Sequence, residues 1–126
     1  MILRKDKLLD EETYRFIRLK ETYRKLEADE KDYIISFVSY IKNKGYYNGK
    51  LSNLITSMNR YIIENDNPIP LLAISKSTMI SALKKMEDIL QELDIIVSIT
   101  KIKYINTFGY NIEAKIDRLV NSSNNE

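Results

Sequence analysis

The stretch Ile74-Ser75-Lys76-Ser77-Thr78-Met79-Ile80-Ser81-Ala82-Leu83-Lys84-Lys85-Met86-Glu87 decides how this chain is read. Met79, Leu83, Met86 and Leu90 fall at i, i+4, i+7 and i+11, one face of a 3.6-residue helix. Ser75 or Ser77 is placed to cap it, because a serine hydroxyl accepts from a free amide of the first turn. The spacing predicts a helix from there to Leu93. Its early turns present Lys76, Ser77, Thr78 and Ser81 off the apolar face, with Lys84 and Lys85 a turn further on. No acid stands between Lys76 and Met86, while Glu87, Asp88 and Glu92 sit at the far end. That polarity suits a helix whose N-terminal half meets an anion. Ile80 is read as covered by an apolar neighbour rather than as a contact to a thymine methyl.

Downstream, the period changes from helical to two. Ile95, Val97 and Ile99 alternate with Ile96, Ser98 and Thr100, followed by Ile102, Tyr104, Phe108, Tyr110 and Ile112. Such β-branched and aromatic alternation predicts a hairpin with its turn near Asn106. From Ile95 to Ile112 there is again no acid, yet Lys101 and Lys103 are present on one parity. Two same-parity lysines on an acid-free hairpin suit contact with phosphate; lysines also discourage pairing at a sheet edge. Glu113 to Val120 reads as a short helix, and residues 121–126 as a frayed polar tail.

Upstream, Asn65-Asp66-Asn67-Pro68-Ile69-Pro70 is a helix breaker. Before it, Leu51, Leu54, Ile55, Met58, Tyr61 and Ile62 predict a helix from Ser52 to about Glu64. Tyr46 and Tyr47 form a short extended piece leading to an Asn48-Gly49 turn. The preceding helix is capped by Asp29, carries Tyr33, Ile34, Phe37, Val38, Tyr40 and Ile41 inward, and ends at Gly45. An N-terminal helix from about Asp10 to Glu27 shows Phe16, Leu19, Tyr23 and Leu26 at spacings of three, four and three. This seam must dock on the domain or on a second copy, and dimerisation is its expected use. The basic residues Arg4, Lys5, Lys7, Arg15 and Arg18 alternate with acids and read as a solvated face.

The order helix, short strand, helix, helix, hairpin resembles a winged helix-turn-helix domain over about 29–112. Its recognition-helix pattern is similar to Ser75 through Glu87: a capping Ser, small or basic residues, Thr78, an apolar residue, then Ala82-Leu83 and Glu87. The resemblance implies a mainly α fold with a small β-hairpin, a winged-helix domain over 29–120, and an N-terminal helical extension over 1–28. It implies a sequence-specific binder of double-stranded DNA, with the helix from Ser75 in the major groove and Lys101 and Lys103 on a wing. The pattern departs at Ile89-Leu90-Gln91-Glu92-Leu93-Asp94, where a glycine-containing turn is usual.

Composition bounds the rest. The 126 residues suffice for one domain, and 44% hydrophobic content suffices for a core. With no Cys and no His, disulfides, Cys/His zinc sites and Ser–His–Asp or Cys–His catalysis are excluded. Gly45, Gly49 and Gly109 are too scattered for a phosphate-cradling loop. The clusters Asp10-Glu11-Glu12 and Asp29-Glu30-Lys31-Asp32 stand where carboxylates complement helix dipoles. No enzyme, metal or cofactor is expected. The N-terminal charges and short apolar runs predict a cytoplasmic chain with no membrane partner. The 20 Lys+Arg against 18 Asp+Glu leave a net charge of only +2, but the excess is focused on the helix from Lys76 and on the hairpin. The expected role is a transcriptional regulator, or an origin- or centromere-binding factor of a mobile element, working as a homodimer. The alternative is an adaptor of the same fold that binds a protein partner without DNA contact.

Overall fold

The computed structural model describes residues 8–65 and 74–117. Around a single core it arranges α1 (Glu11–Arg18), α2 (Glu21–Arg24), α3 (Ala28–Lys44), β1 (Tyr46–Lys50) and α4 (Leu51–Glu64). There follow α5 (Lys76–Lys85), α6 (Glu87–Glu92), β2 (Ile95–Lys103) and β3 (Phe108–Ile116). The chain is thus mostly helical with a small three-stranded antiparallel sheet of order β1-β3-β2.

Helix α3 is the axis of the fold. Every residue from Tyr33 to Ile41 is buried, as befits a helix enclosed on all sides. Its two interior serines are both satisfied, one within the helix and one by distant partners. Ser36 donates to the Asp32 carbonyl at 2.8 Å, and Ser39 donates to the Leu8 carbonyl at 2.6 Å while meeting the Tyr61 hydroxyl at 2.7 Å. The N-cap is Glu27 rather than Asp29, in a reciprocal capping box with Glu30. At the far end Gly45 takes φ 84°, a left-handed conformation open to glycine at little cost, and turns the chain into β1.

The N-terminal region departs from one continuous helix. It breaks at Leu19 and Lys20 into α1 and α2. Ile17 and Tyr23 are both buried, yet six residues on a straight helix place them about 120° apart. The break brings both onto the core. Tyr23 and Leu26 are therefore spent inside this chain, Phe16 is half-buried, and Leu19 is left 57% exposed. The seam expected for dimerisation is not one stripe.

Three other expectations are corrected, two of them by long-range strand pairing. Residues 113–116 are not helical but continue β3, because Tyr46–Lys50 and Ile95–Lys103 both pair with that strand. Asn48-Gly49 is not a turn but lies within β1. The helix from Ser75 ends at Lys85, and α6 follows after Met86. The exit from α6 is made by Asp94 at φ 66°, a left-handed position that Asp tolerates better than most side chains. Most of the expected breaker, with Pro68 and Pro70, lies outside the described residues, as do Arg4, Lys5, Lys7 and the tail.

Candidate nucleic-acid interface

The β2–β3 hairpin runs beyond the core. In register, Ile99 faces Ile112, Lys101 faces Tyr110 and Lys103 faces Phe108. Alternation places Lys101 and Lys103 on the same sheet face as Ile95, Val97 and Ile99. Where the core ends, that face changes from apolar to basic and aromatic. The Lys101 ammonium sits 3.9 Å from the Phe108 ring centroid, and Phe108 meets Tyr110 edge-on at 5.9 Å. On the other side Tyr104 covers Gly109, where an added Cβ would lie 3.1 Å from the Tyr104 ring. Lys50 reaches to 5.7 Å from the centroid of the same ring.

Two grooves meet at this end. One runs along the hairpin tip past Lys101, Lys103, Tyr104, Ile105 and Phe108. The second joins the hairpin to the starts of two helices, with Lys50 and Ser52 at α4 and Lys76 at α5. They share Tyr104, Thr107 and Phe108, and neither is lined by an Asp or Glu. Four ammonium groups are thereby gathered from three separate parts of the sequence, Lys50, Lys76 and the pair Lys101 and Lys103. An acid-free basic surface with exposed aromatic rings fits a polyanion carrying flat apolar groups.

Helix α5 borders this surface with its first turn. Ser75 is the cap, accepting from the Thr78 amide at 3.2 Å and meeting the Ser77 and Thr78 hydroxyls at 3.1 and 2.8 Å. Ile80 is buried. Lys76, Ser77, Lys84 and Lys85 are exposed, while Thr78 and Ser81 are half-buried.

The other flank of α5 differs in character. Ser77, Thr78, Ser81 and Lys85 line a groove opposite Glu27, Asp29 and Glu30. Ser81 donates to Glu30 Oε2 at 3.3 Å, and Lys85 donates to Oε2 at 3.1 Å and Oε1 at 3.4 Å. Burial alone would raise the Glu30 pKa. The Glu27 amide, Lys85 and Ser81 outweigh it and hold the carboxyl below its usual range. Of the eight residues expected to meet DNA, the fold gathers Lys76, Lys101 and Lys103 on one surface, leaves Lys84 exposed, and turns Ser81 and Lys85 toward Glu30.

Lys50 was not among the expected residues, nor were Ile105 and Phe108. The available signal for Lys50 was its position just before an apolar-periodic helix start. Its distance from the hairpin in sequence hid the rest.

Among the described residues, no group of three or more acids could hold a metal ion, and no helix is long and apolar enough to cross a membrane. No family model, curated protein or solved structure matches this chain.

Proposed function

We propose that this chain is a winged-helix protein that binds double-stranded DNA and works by binding alone. Its biological setting would be transcriptional control, or recognition of an origin or centromere of a mobile element. The order α3–β1–α4–α5, followed by a hairpin and a β1-β3-β2 sheet, supports the winged-helix reading. One observation carries the functional reading. The acid-free grooves join Lys76 at the start of α5 and Lys50 at the start of α4 to Lys101 and Lys103 on the hairpin.

The chemistry follows from that arrangement. Helix N-termini and lysines neutralise phosphates and fix the register of a helix on the duplex. The exposed first turn of α5, Lys76 and Ser77, is then available to base edges in the major groove. Phosphate contacts of this kind release counterions, so affinity falls steeply as salt rises.

Selection of bound sequences from random duplex DNA tests the reading. An enriched motif supports it, and an inverted repeat supports a two-fold homodimer in which Leu19 and Phe16 remain as contact residues. Absence of enrichment together with salt-insensitive or undetectable binding overturns it and leaves the protein-adaptor alternative.

A further inference from the structure

The most exposed large apolar side chain among the described residues is Ile105, 97% exposed at the tip of the β2–β3 hairpin. It gains nothing from the fold. Its neighbours on the tip surface are Lys101, Lys103, Tyr104 and Phe108, with no acid among them. The tip is also braced. The Tyr104 amide donates to the Thr107 carbonyl at 2.8 Å, Tyr104 covers Gly109, and Lys101 covers Phe108. An isoleucine held outward on a closed, basic turn is pre-organised to enter something apolar inside an anionic surface.

We infer that Ile105 is a wedge that enters between base steps from the minor groove and kinks the duplex. This rests on the DNA-binding reading and adds the state of the DNA in the complex. Size favours it. Two paired strands are about 5 Å apart before side chains are added, and an unperturbed minor groove is about 6 Å wide. The tip therefore enters only where the groove opens. Apolar side chains inserted at a base step unstack it and bend the duplex toward the major groove, which widens the minor groove. Lys103 and Lys101, two and four residues before Ile105, would meet the flanking phosphates. The step most easily opened is a pyrimidine–purine step such as TA.

The test uses the full chain at low salt and a duplex of alternating T and A with 2-aminopurine in place of its central adenines. Binding should raise the 2-aminopurine fluorescence and shorten the end-to-end distance read by energy transfer. Ile105→Ala should lose both signals while weakening binding by no more than about tenfold, the size of one apolar contact. Ile105→Leu should keep both. Because Ile105 makes so little contact with the fold, the variants test the wedge rather than stability. Binding with no signal, or with a signal equal in Ile105→Ala, overturns the wedge and leaves the DNA reading standing. No binding to the duplex overturns both, and Ile105-dependent binding to phosphatidylserine vesicles would then assign the tip to an anionic lipid surface.

Discussion

The Lys85 ammonium lies 3.1 Å from Oε2 of Glu30, a carboxylate that is only 3% exposed. This contact ties the end of α5 to the start of α3, and Glu30 also holds the Glu27 amide in the capping box. Removing Lys85 leaves a buried charge with fewer partners. Lys85→Ala is expected to cost about 1–3 kcal/mol, read as a lower urea midpoint. Lys85→Glu sets a second carboxylate against the first and should destabilise more, so a charge reversal there reports folding rather than DNA contact.

The same carboxylate gives the protein an acid-sensitive stability. Glu30 titrates below its ordinary value in the folded chain, whereas an unfolded Glu titrates near about 4.3. The unfolded state therefore binds the proton first. The stability contributed is complete above the unfolded value and is lost as pH falls through the lower, folded one. Urea midpoints measured downward from neutral pH should fall in that window, and Glu30→Gln should flatten the fall.

Tyr33 presents the opposite case. It is fully buried, stacked with Phe37 at 5.9 Å, and its hydroxyl has no hydrogen-bond partner among the described residues. Burial pushes its pKa up. A desolvated hydroxyl without a partner is a cost that phenylalanine avoids. Tyr33→Phe should be neutral or stabilise by about 1 kcal/mol, seen as an equal or higher melting temperature.

Much of this architecture was legible because it depends on local periodicity. The apolar faces of α3, α4 and α5 and the change of period at Ile95 read correctly from the residues, and the cap was narrowed to Ser75 or Ser77, of which Ser75 serves. What did not read depends on distant partners. Nothing near Glu113 shows that Tyr46–Lys50 and Ile95–Lys103 will claim that segment as strand. The three-four-three spacing of Phe16, Leu19, Tyr23 and Leu26 fits a straight helix, and only the burial of Ile17 together with Tyr23 breaks it. The candidate surface divides in the same way. Its lysines on α5 and the hairpin were visible as acid-free runs, but the diversion of Lys85 to Glu30 and the arrival of Lys50 beside Tyr104 belong to tertiary packing.

Asp94 offers a test of backbone conformation. At φ 66° it joins α6 to β2, its amide donating to the Gln91 carbonyl at 2.9 Å and its carbonyl accepting from Asp117 at 2.8 Å. Asn accepts a left-handed conformation at least as well as Asp, while a β-branched side chain is strained there. Asp94→Val should cost about 1–3 kcal/mol, and Asp94→Asn markedly less, in matched urea titrations.

Salt dependence separates the two flanks of α5. Lys76 and Lys101 line the acid-free grooves, whereas Lys85 is held by Glu30. If each groove lysine neutralises one phosphate, Lys76→Ala or Lys101→Ala should lower the slope of log affinity against log salt by about 1. Lys85→Ala should leave the slope unchanged wherever the variant remains folded, because its ammonium is already paired within the chain. Lys50→Ala should behave like Lys76→Ala, since both stand at helix starts opening on the same groove. Fluorescence anisotropy of a labelled duplex across a salt series reads all five slopes, the parent's and those of the four variants. Equal slopes for the parent, Lys50→Ala, Lys76→Ala and Lys101→Ala would remove the grooves from any role in phosphate binding.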